Sequence, residues 1–479
     1  MTRLARRAQR PRAAGLAKVL AASLLALGFV GGLGAPVAQA AAPVSAASAS
    51  LPTAALAAPR LVMAGSSDPV HGPYGVTTDT CARCHRAHTG QAASMTTYPS
   101  HSQLCLTCHD GTGSSFNVSA QYSDPSIPAN DPATRSYYSH DPNDSDAHTL
   151  AVDDEFTGVQ NRHSECIDCH NAHAATTGKA SQATVSSPWK PSGALAAISG
   201  LSVVNGPAGD QPTYTFVDGQ SASPTAEYQL CFKCHSGNTI LLSNAGLPPS
   251  QYELDKAVEF NPANASFHPI EAVGTNQSIA MQKSLSDVYG SRRRWALTTT
   301  STVRCTNCHT GGPAVTSSTA IDGDQPVHVS ANRGILIAPY LDRVLVARGK
   351  PWNAADFALC FGCHTERPFT TNTPAGTTNF GKHRFHVAGI GLTGTGGLSI
   401  DTPGDGQGNA LCAECHFRLH STAFAVGTQP YKRLVNFAPD VQPYNGSLTW
   451  VQLPPDSQGN GHGTCTLVCH GAVHDARAY

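Results

Sequence analysis

Cys81-Ala82-Arg83-Cys84-His85 returns 24 residues later as Cys105-Leu106-Thr107-Cys108-His109, and the rest of the chain re-uses this five-residue unit. It recurs as Cys166-Ile167-Asp168-Cys169-His170, Cys231-Phe232-Lys233-Cys234-His235, Cys305-Thr306-Asn307-Cys308-His309, Cys360-Phe361-Gly362-Cys363-His364 and Cys412-Ala413-Glu414-Cys415-His416. An eighth copy, Cys465-Thr466-Leu467-Val468-Cys469-His470, has one extra residue between the thiols, and together the eight use all 16 cysteines. C-x-x-C-H is the attachment pattern of c-type haem: two thiols bond to the two vinyl groups, and the following histidine becomes the proximal iron ligand. The expectation is eight covalent haems, with His85, His109, His170, His235, His309, His364, His416 and His470 as proximal ligands.

Sixteen Cys and 22 His scattered over 479 residues would give roughly 0.02 such matches by chance, against seven of the strict form, so coincidence is excluded. Zinc knuckles need the C-x-x-C pairs to meet in fours, and disulfides leave the His after every second Cys without a reason.

Residues 1–40 read as a secretory signal. Arg3, Arg6, Arg7, Arg10, Arg12 and Lys18 precede or open the apolar run Leu20–Leu33, and Ala38-Gln39-Ala40 is a small-residue cleavage site. Removing it leaves 25 basic and 32 acidic residues, about −7, which argues against nucleic acid as a partner. No later apolar run is long enough for a membrane span. The mature chain is therefore expected to be secreted and to lie in the periplasm, outside the cell or at its surface.

Residues 41–75 are rich in Ala, Pro and Ser and read as a flexible leader, followed by an octahaem region over 76–479. A possible subdivision is 76–198 for sites 1–3, 199–310 for sites 4–5 and 311–479 for sites 6–8, the sites being numbered by motif. After the first pair each motif is served by only 52 to 74 residues, too few for an ordinary core. Gly and Pro make up 77 of the 479 residues, which opposes long amphipathic helices. The composition predicts mostly irregular chain around stacked porphyrins, a short helix opening at each motif, and small β insertions. Strands are expected at Leu201–Asn205, Thr213–Asp218, Gly334–Val346, Leu434–Val441 and Leu448–Leu453. Asp401–Asn409 reads as a solvated turn, since it lacks the ligand spacing of a calcium loop.

Fourteen histidines remain after the proximal eight, a supply that matches full bis-His ligation. In Cys84-His85-Arg86-Ala87-His88 and Cys169-His170-Asn171-Ala172-His173 the second His lies one turn from the first, on its own side of the porphyrin, and must serve another haem. His420 and His474, four residues after a proximal His, invite the same reading. His140, His163, His268, His328 and His386 are the loop candidates for distal ligands. His101, His148 and His383 form a reserve, while His71 and His462 are assigned to solvent. With only Met63, Met95 and Met281 outside the signal, Met/His ligation has little supply, so low-potential bis-His sites are expected.

The paired motifs Cys81–His109, the run His163-Ser164-Glu165-Cys166 through His173, Glu227–His235, Phe267-His268-Pro269 and the closing Cys469-His470-Gly471-Ala472-Val473-His474 resemble the doubled-CxxCH-motif multihaem c-type cytochromes, often labelled cytochrome c3-like. The resemblance covers about 76–479. It implies periplasmic or extracellular electron transfer with loop histidines such as His140, His268 and His328 as distal ligands. The family says little about partners; an electron conduit is the favoured reading, with other redox proteins of the cell envelope or extracellular acceptors as expected partners and self-association into a filament as a subclass. The competing reading is an octahaem oxidoreductase acting on nitrite, hydroxylamine or tetrathionate. Such an enzyme needs one open iron, whereas all eight motifs here end in His.

Overall fold

The computed structural model describes residues 70–72, 79–92, 94–131, 134, 136–142, 164–219, 224–238, 255–285, 297–311, 326–340, 354–366, 369, 382–388, 410–423, 432–454, 462–469 and 471–478. The signal, nearly all of the leader, His148, His163, His470, Asp401–Asn409 and the side chain of His462 lie outside them. All described residues fall within the unit Gly65–Tyr479.

Among them the chain is mostly turns and irregular segments, as the Gly and Pro content dictates. The longest helix, Glu227–His235, has nine residues. At six motifs the His N–H donates to the carbonyl of the first Cys at 2.8–3.0 Å: His85, His109, His170, His309, His364 and His416. One helical turn thereby places both thiols and the imidazole of a motif together, which is what the C-x-x-C-H spacing can deliver and little more.

The residue before the second Cys often starts that turn. Asp168 Oδ2 accepts from the Glu165 N–H at 2.7 Å, Asn307 Oδ1 from Arg304 at 2.7 Å and Glu414 Oε1 from Leu411 at 3.1 Å. Each satisfies a backbone donor that the short helix leaves unpaired. Asp168→Ala is expected to destabilise the fold by about 1 kcal/mol, read as a lower urea midpoint at constant slope.

Helices open on the first Cys at 81, 166, 305 and 412, but at 105, 231 and 360 the motif lies inside or at the end of a helix that started earlier. The eighth site departs further. Its Cys465 and Cys469 lie on a strand, not a helix.

The β insertions are a two-stranded sheet of β1 (Gly200–Val204) and β2 (Thr213–Val217), and a three-stranded antiparallel sheet of β3 (Thr449–Leu453), β4 (His462–Cys469) and β5 (Ala472–Ala478). Two expected strands do not form among the described residues. Over 334–340 the left-handed φ of Gly334 and Ile335 turns the chain, and Ser330 and Asn332 bond the Leu336 carbonyl. Over 434–441 left-handed Arg433 and Leu434 do the same, and Asn436 Nδ2 donates to the Leu434 carbonyl at 2.8 Å.

No single apolar core gathers the described residues. Four small clusters form instead: Leu201, Phe232, Ala257, Phe260 and Ile270; Ala338, Ala358 and Leu359; Phe357, Phe361 and Val387; and Ala438, Val441 and Leu467. Motif cysteines pack against every one: Cys305, Cys308, Cys360 with Cys412, and Cys465 with Cys469. Between the clusters, buried polar contacts supply the ties, among them Lys233 Nζ donating to the Asp168 carbonyl at 2.6 Å and Arg304 on Glu227 at 2.5 Å.

Beside the first cluster, Asn205 Nδ2 donates to Glu271 Oε2 at 2.7 Å, while Glu271 Oε1 and Asn205 Oδ1 are both buried without a partner. Burial pushes the Glu271 carboxyl up to about 8, against the lowering effect of the Asn205 bond and with Asp255 adding to the rise. The folded chain thus keeps a proton that the unfolded chain gives up above the ordinary value of 4.5, so stability falls as pH rises from there to about 8. The loss over that window is on the order of 5 kcal/mol. Glu271→Gln is expected to flatten it, measured as urea midpoints between pH 5 and pH 9.

Candidate functional site

The motif histidines are not left singly. The ring centroid of His109 lies 6.0 Å from that of His71, His85 lies 5.9 Å from His173, and His170 lies 6.1 Å from His328. Further along, His235 and His140 are 6.2 Å apart, His309 and His420 5.9 Å, and His416 and His383 6.5 Å. Six motif histidines each face a histidine from elsewhere in the chain. Direct ring stacking would bring the planes closer. Two imidazoles on opposite faces of one iron, each bonded at about 2 Å with its ring centre about 1.1 Å beyond the bonded nitrogen, hold their centroids about 6.2 Å apart.

The second observation concerns the other ring nitrogen. Nδ1 of His85 bonds the Ser94 carbonyl at 2.9 Å, His109 that of Phe116 at 3.2 Å, His170 that of Ala194 at 2.9 Å, His309 that of Gly334 at 2.8 Å and His416 that of Leu434 at 3.0 Å. On the opposing side Nδ1 of His71 bonds the Ala172 carbonyl at 3.0 Å, His140 that of Val327 at 2.8 Å, and His328 the Gln121 side-chain oxygen at 3.1 Å. A carbonyl accepts only from N–H, so each of these rings carries a proton on Nδ1 and leaves Nε2 as the nitrogen available to a metal. Burial pulls His309 and His328 down to about 4 and lowers His170 and His416 as well, which keeps these rings neutral at pH 7. A neutral imidazole with a free Nε2 is what an iron ligand requires.

Two backbone bridges deliver the opposing rings. Ser139 pairs with Val329, and the His140 N–H donates to the His328 carbonyl at 2.9 Å, so one bridge carries the partners of sites 4 and 3 back to back. Gly311 lets the chain after site 5 reach this bridge: a Cβ there would stand 2.0 Å from the Val329 oxygen. Phe267 pairs with Ser421 in the same way, and the His268 N–H donates to the His420 carbonyl at 2.9 Å. Nδ1 of His268 bonds the Leu419 carbonyl, and burial lowers its pKa. Around site 3, Tyr122 stacks on His328 at 5.9 Å and its hydroxyl donates to the His140 carbonyl at 2.9 Å. Nothing in the sequence pattern singles out Gln121 or Tyr122.

His71, assigned to solvent from sequence, and His383, held in reserve, thus face motif rings. His88, read as a distal ligand, is exposed, and no other ring lies against it among the described residues. His101 bonds buried Glu165 at 3.1 Å through Nδ1. His386 faces His474, 6.4 Å away, beside β4 with its Cys465 and Cys469. His364 packs edge-on to Phe369 at 6.1 Å.

Successive sites touch in chain order. Burial and neighbouring Cys108 push the Cys84 thiol up. Ser102, in the helix of site 2, approaches Cys166 Sγ at 3.8 Å. Lys233 of site 4 bonds Asp168 of site 3, and Thr306 of site 5 donates to Glu227 of the site 4 helix at 2.9 Å. Cys308 packs on Ala358 and Leu359 of site 6, Cys360 and Cys412 share a cluster, and Cys469 Sγ lies 3.6 Å from Glu414 of site 7. No disulfide joins any of the cysteines. Among the described residues no group of three or more His, Cys, Asp or Glu is arranged to hold a bare metal ion.

The residues therefore fit haem c: paired thiols on one turn, a proximal imidazole beside them, and a second imidazole across a gap of the right width. Comparison with known proteins gives one match. The family model of the doubled CXXCH motif matches residues 71–114, a span that opens on His71 and closes after site 2. No curated protein and no solved structure matches the chain. The doubled CXXCH motif is that of multihaem c-type cytochromes in electron transfer, and the CXXCH motifs of this chain indicate covalently bound haem c.

Proposed function

We propose that the chain is an octahaem c-type cytochrome that carries electrons along a file of closely spaced, low-potential bis-His sites, in the periplasm or outside the cell. The pairing of six motif histidines with six remote ones at 5.9–6.5 Å carries this reading. Haem c, when attached, supplies one-electron iron chemistry. The polypeptide holds, orients and desolvates it.

The proposed distal ligands are His173 for site 1, His71 for site 2, His328 for site 3, His140 for site 4, His420 for site 5 and His383 for site 7. His268 is assigned to site 6, because the bridge at Ser139 serves two consecutive sites and the bridge at Phe267 has His420 already at site 5. The eighth site draws its ligands from His386, His470 and His474. Haem held between two imidazoles would be low-spin and closed to small substrates, which favours conduction over catalysis. The contacts of each site with the next support a single file in chain order, with other envelope redox proteins or extracellular acceptors at its ends. Among the described residues no helix is long and apolar enough to cross a membrane.

Intact mass spectrometry of the exported protein tests the reading: eight haem increments above the peptide mass are expected, with low-spin signals alone in electron paramagnetic resonance. Fewer increments overturn the count, and a high-spin signal in the unmodified protein turns the reading toward an enzyme with one open iron.

A further inference from the structure

The ring partners named above for the motif pairs are neutral oxygens, with one exception. Nδ1 of His420 donates to a carboxylate, Glu259 Oε2, at 3.2 Å. Glu259 closes the short helix Lys256–Glu259 and is only 2 % exposed, so water does not screen its charge. The same Oε2 accepts from Lys256 Nζ at 2.6 Å. Across the gap, His309 leans on the neutral Gly334 carbonyl, and Phe260 packs against the His420 ring at 5.1 Å and fixes its tilt.

A carboxylate takes more of the Nδ1 proton than a carbonyl does. The imidazole gains anionic character and becomes a stronger donor at Nε2, which favours the more highly charged state of a bound metal. A buried negative charge near the metal acts in the same direction through space. Lys256 opposes both effects. Removing one or the other should therefore move the same site in opposite directions.

We propose that Glu259 is a positioning residue that lowers the reduction potential of the site between His309 and His420 relative to one held by neutral oxygens alone, with Lys256 limiting the effect. This rests on the reading of the pair as axial haem ligands. It gives a step in potential to the middle of the file.

Spectroelectrochemical titration of the holoprotein tests it with Glu259→Gln and Lys256→Met. In Glu259→Gln one component is expected to shift to a more positive potential. In Lys256→Met one component is expected to shift to a more negative one. Haem content by pyridine haemochrome should match the unmodified protein in both. Coincident titrations in both variants at full haem content overturn the proposal while leaving the proposed function standing. If Glu259→Gln does not fold, Lys256→Met keeps the carboxylate and its bond to His420 and decides alone, an unshifted titration overturning the proposal. Absence of haem from the unmodified protein overturns the proposed function instead.

Discussion

His328→Ala is expected to convert one haem equivalent from low to high spin, leaving the others as they were. His328 comes from far along the chain to face His170 at 6.1 Å, and its Nδ1 is held by Gln121 while Tyr122 packs on its face. Alanine would remove the proposed sixth ligand without touching Cys166, Cys169 or His170, so haem should stay attached at a five-coordinate site. The potential of that component should rise, since a neutral donor to the ferric state is lost. His88→Ala is the informative control. The sequence reading gives His88 the same role as His173, and both are exposed, yet among the described residues only His173 has a motif ring beside it, 5.9 Å away at His85. Its removal is expected to leave the spectrum unchanged. Electron paramagnetic resonance of the two variants side by side checks both outcomes, and a high-spin signal in His88→Ala but not His328→Ala would reverse the assignments made here.

That contrast marks what the sequence can express. Cysteines and motif histidines are legible because their arrangement is local: one turn, closed by the bond from the His N–H to the first Cys carbonyl, places all three groups. The opposing imidazoles are set by long-range bridges, Ser139 with Val329 and Phe267 with Ser421, that leave no periodic trace in either segment. His71 shows the limit most clearly. Standing ahead of the first motif, it reads as a solvated residue, but the Ala172 carbonyl holds its ring 6.0 Å from His109. The irregular fold was legible from Gly, Pro and the short intervals, whereas β4 and β5 were not, since a C-x-x-x-C-H copy gives no hint of a strand. The eighth site's thiols, Cys465 and Cys469, lie on either side of a register shift between Cys465 and Leu467, a detail fixed by pairing with β5 and not by the motif.

Glu227→Ala is expected to destabilise the fold by about 3–5 kcal/mol, because it strands a buried guanidinium. Glu227 and Arg304 side chains are each 3 % exposed, and Glu227 Oε2 accepts from Arg304 Nη2 at 2.5 Å and Nε at 2.8 Å. Its other oxygen accepts from Thr306 at 2.9 Å, so one carboxylate joins the helix of site 4 to the turn of site 5. Arg304 also lies over Trp189, 5.6 Å from the ring centroid, and that contact holds the cation in place after its counter-charge is gone. Burial, and not the bond itself, makes the loss large: an exposed pair of the same geometry would contribute about 1 kcal/mol or less. A double variant, Glu227→Leu with Arg304→Met, removes both charges and should recover most of the loss, since an apolar pair of similar volume carries no desolvation cost. Urea unfolding of the two single variants and the double variant forms the cycle. A double variant as unstable as Glu227→Ala would mean that the Thr306 bond, and not the stranded charge, dominates. Because this carboxylate fixes the spacing of two neighbouring sites, the single variant should also change the coupling between two components in a redox titration, which a purely local loss of stability would not do.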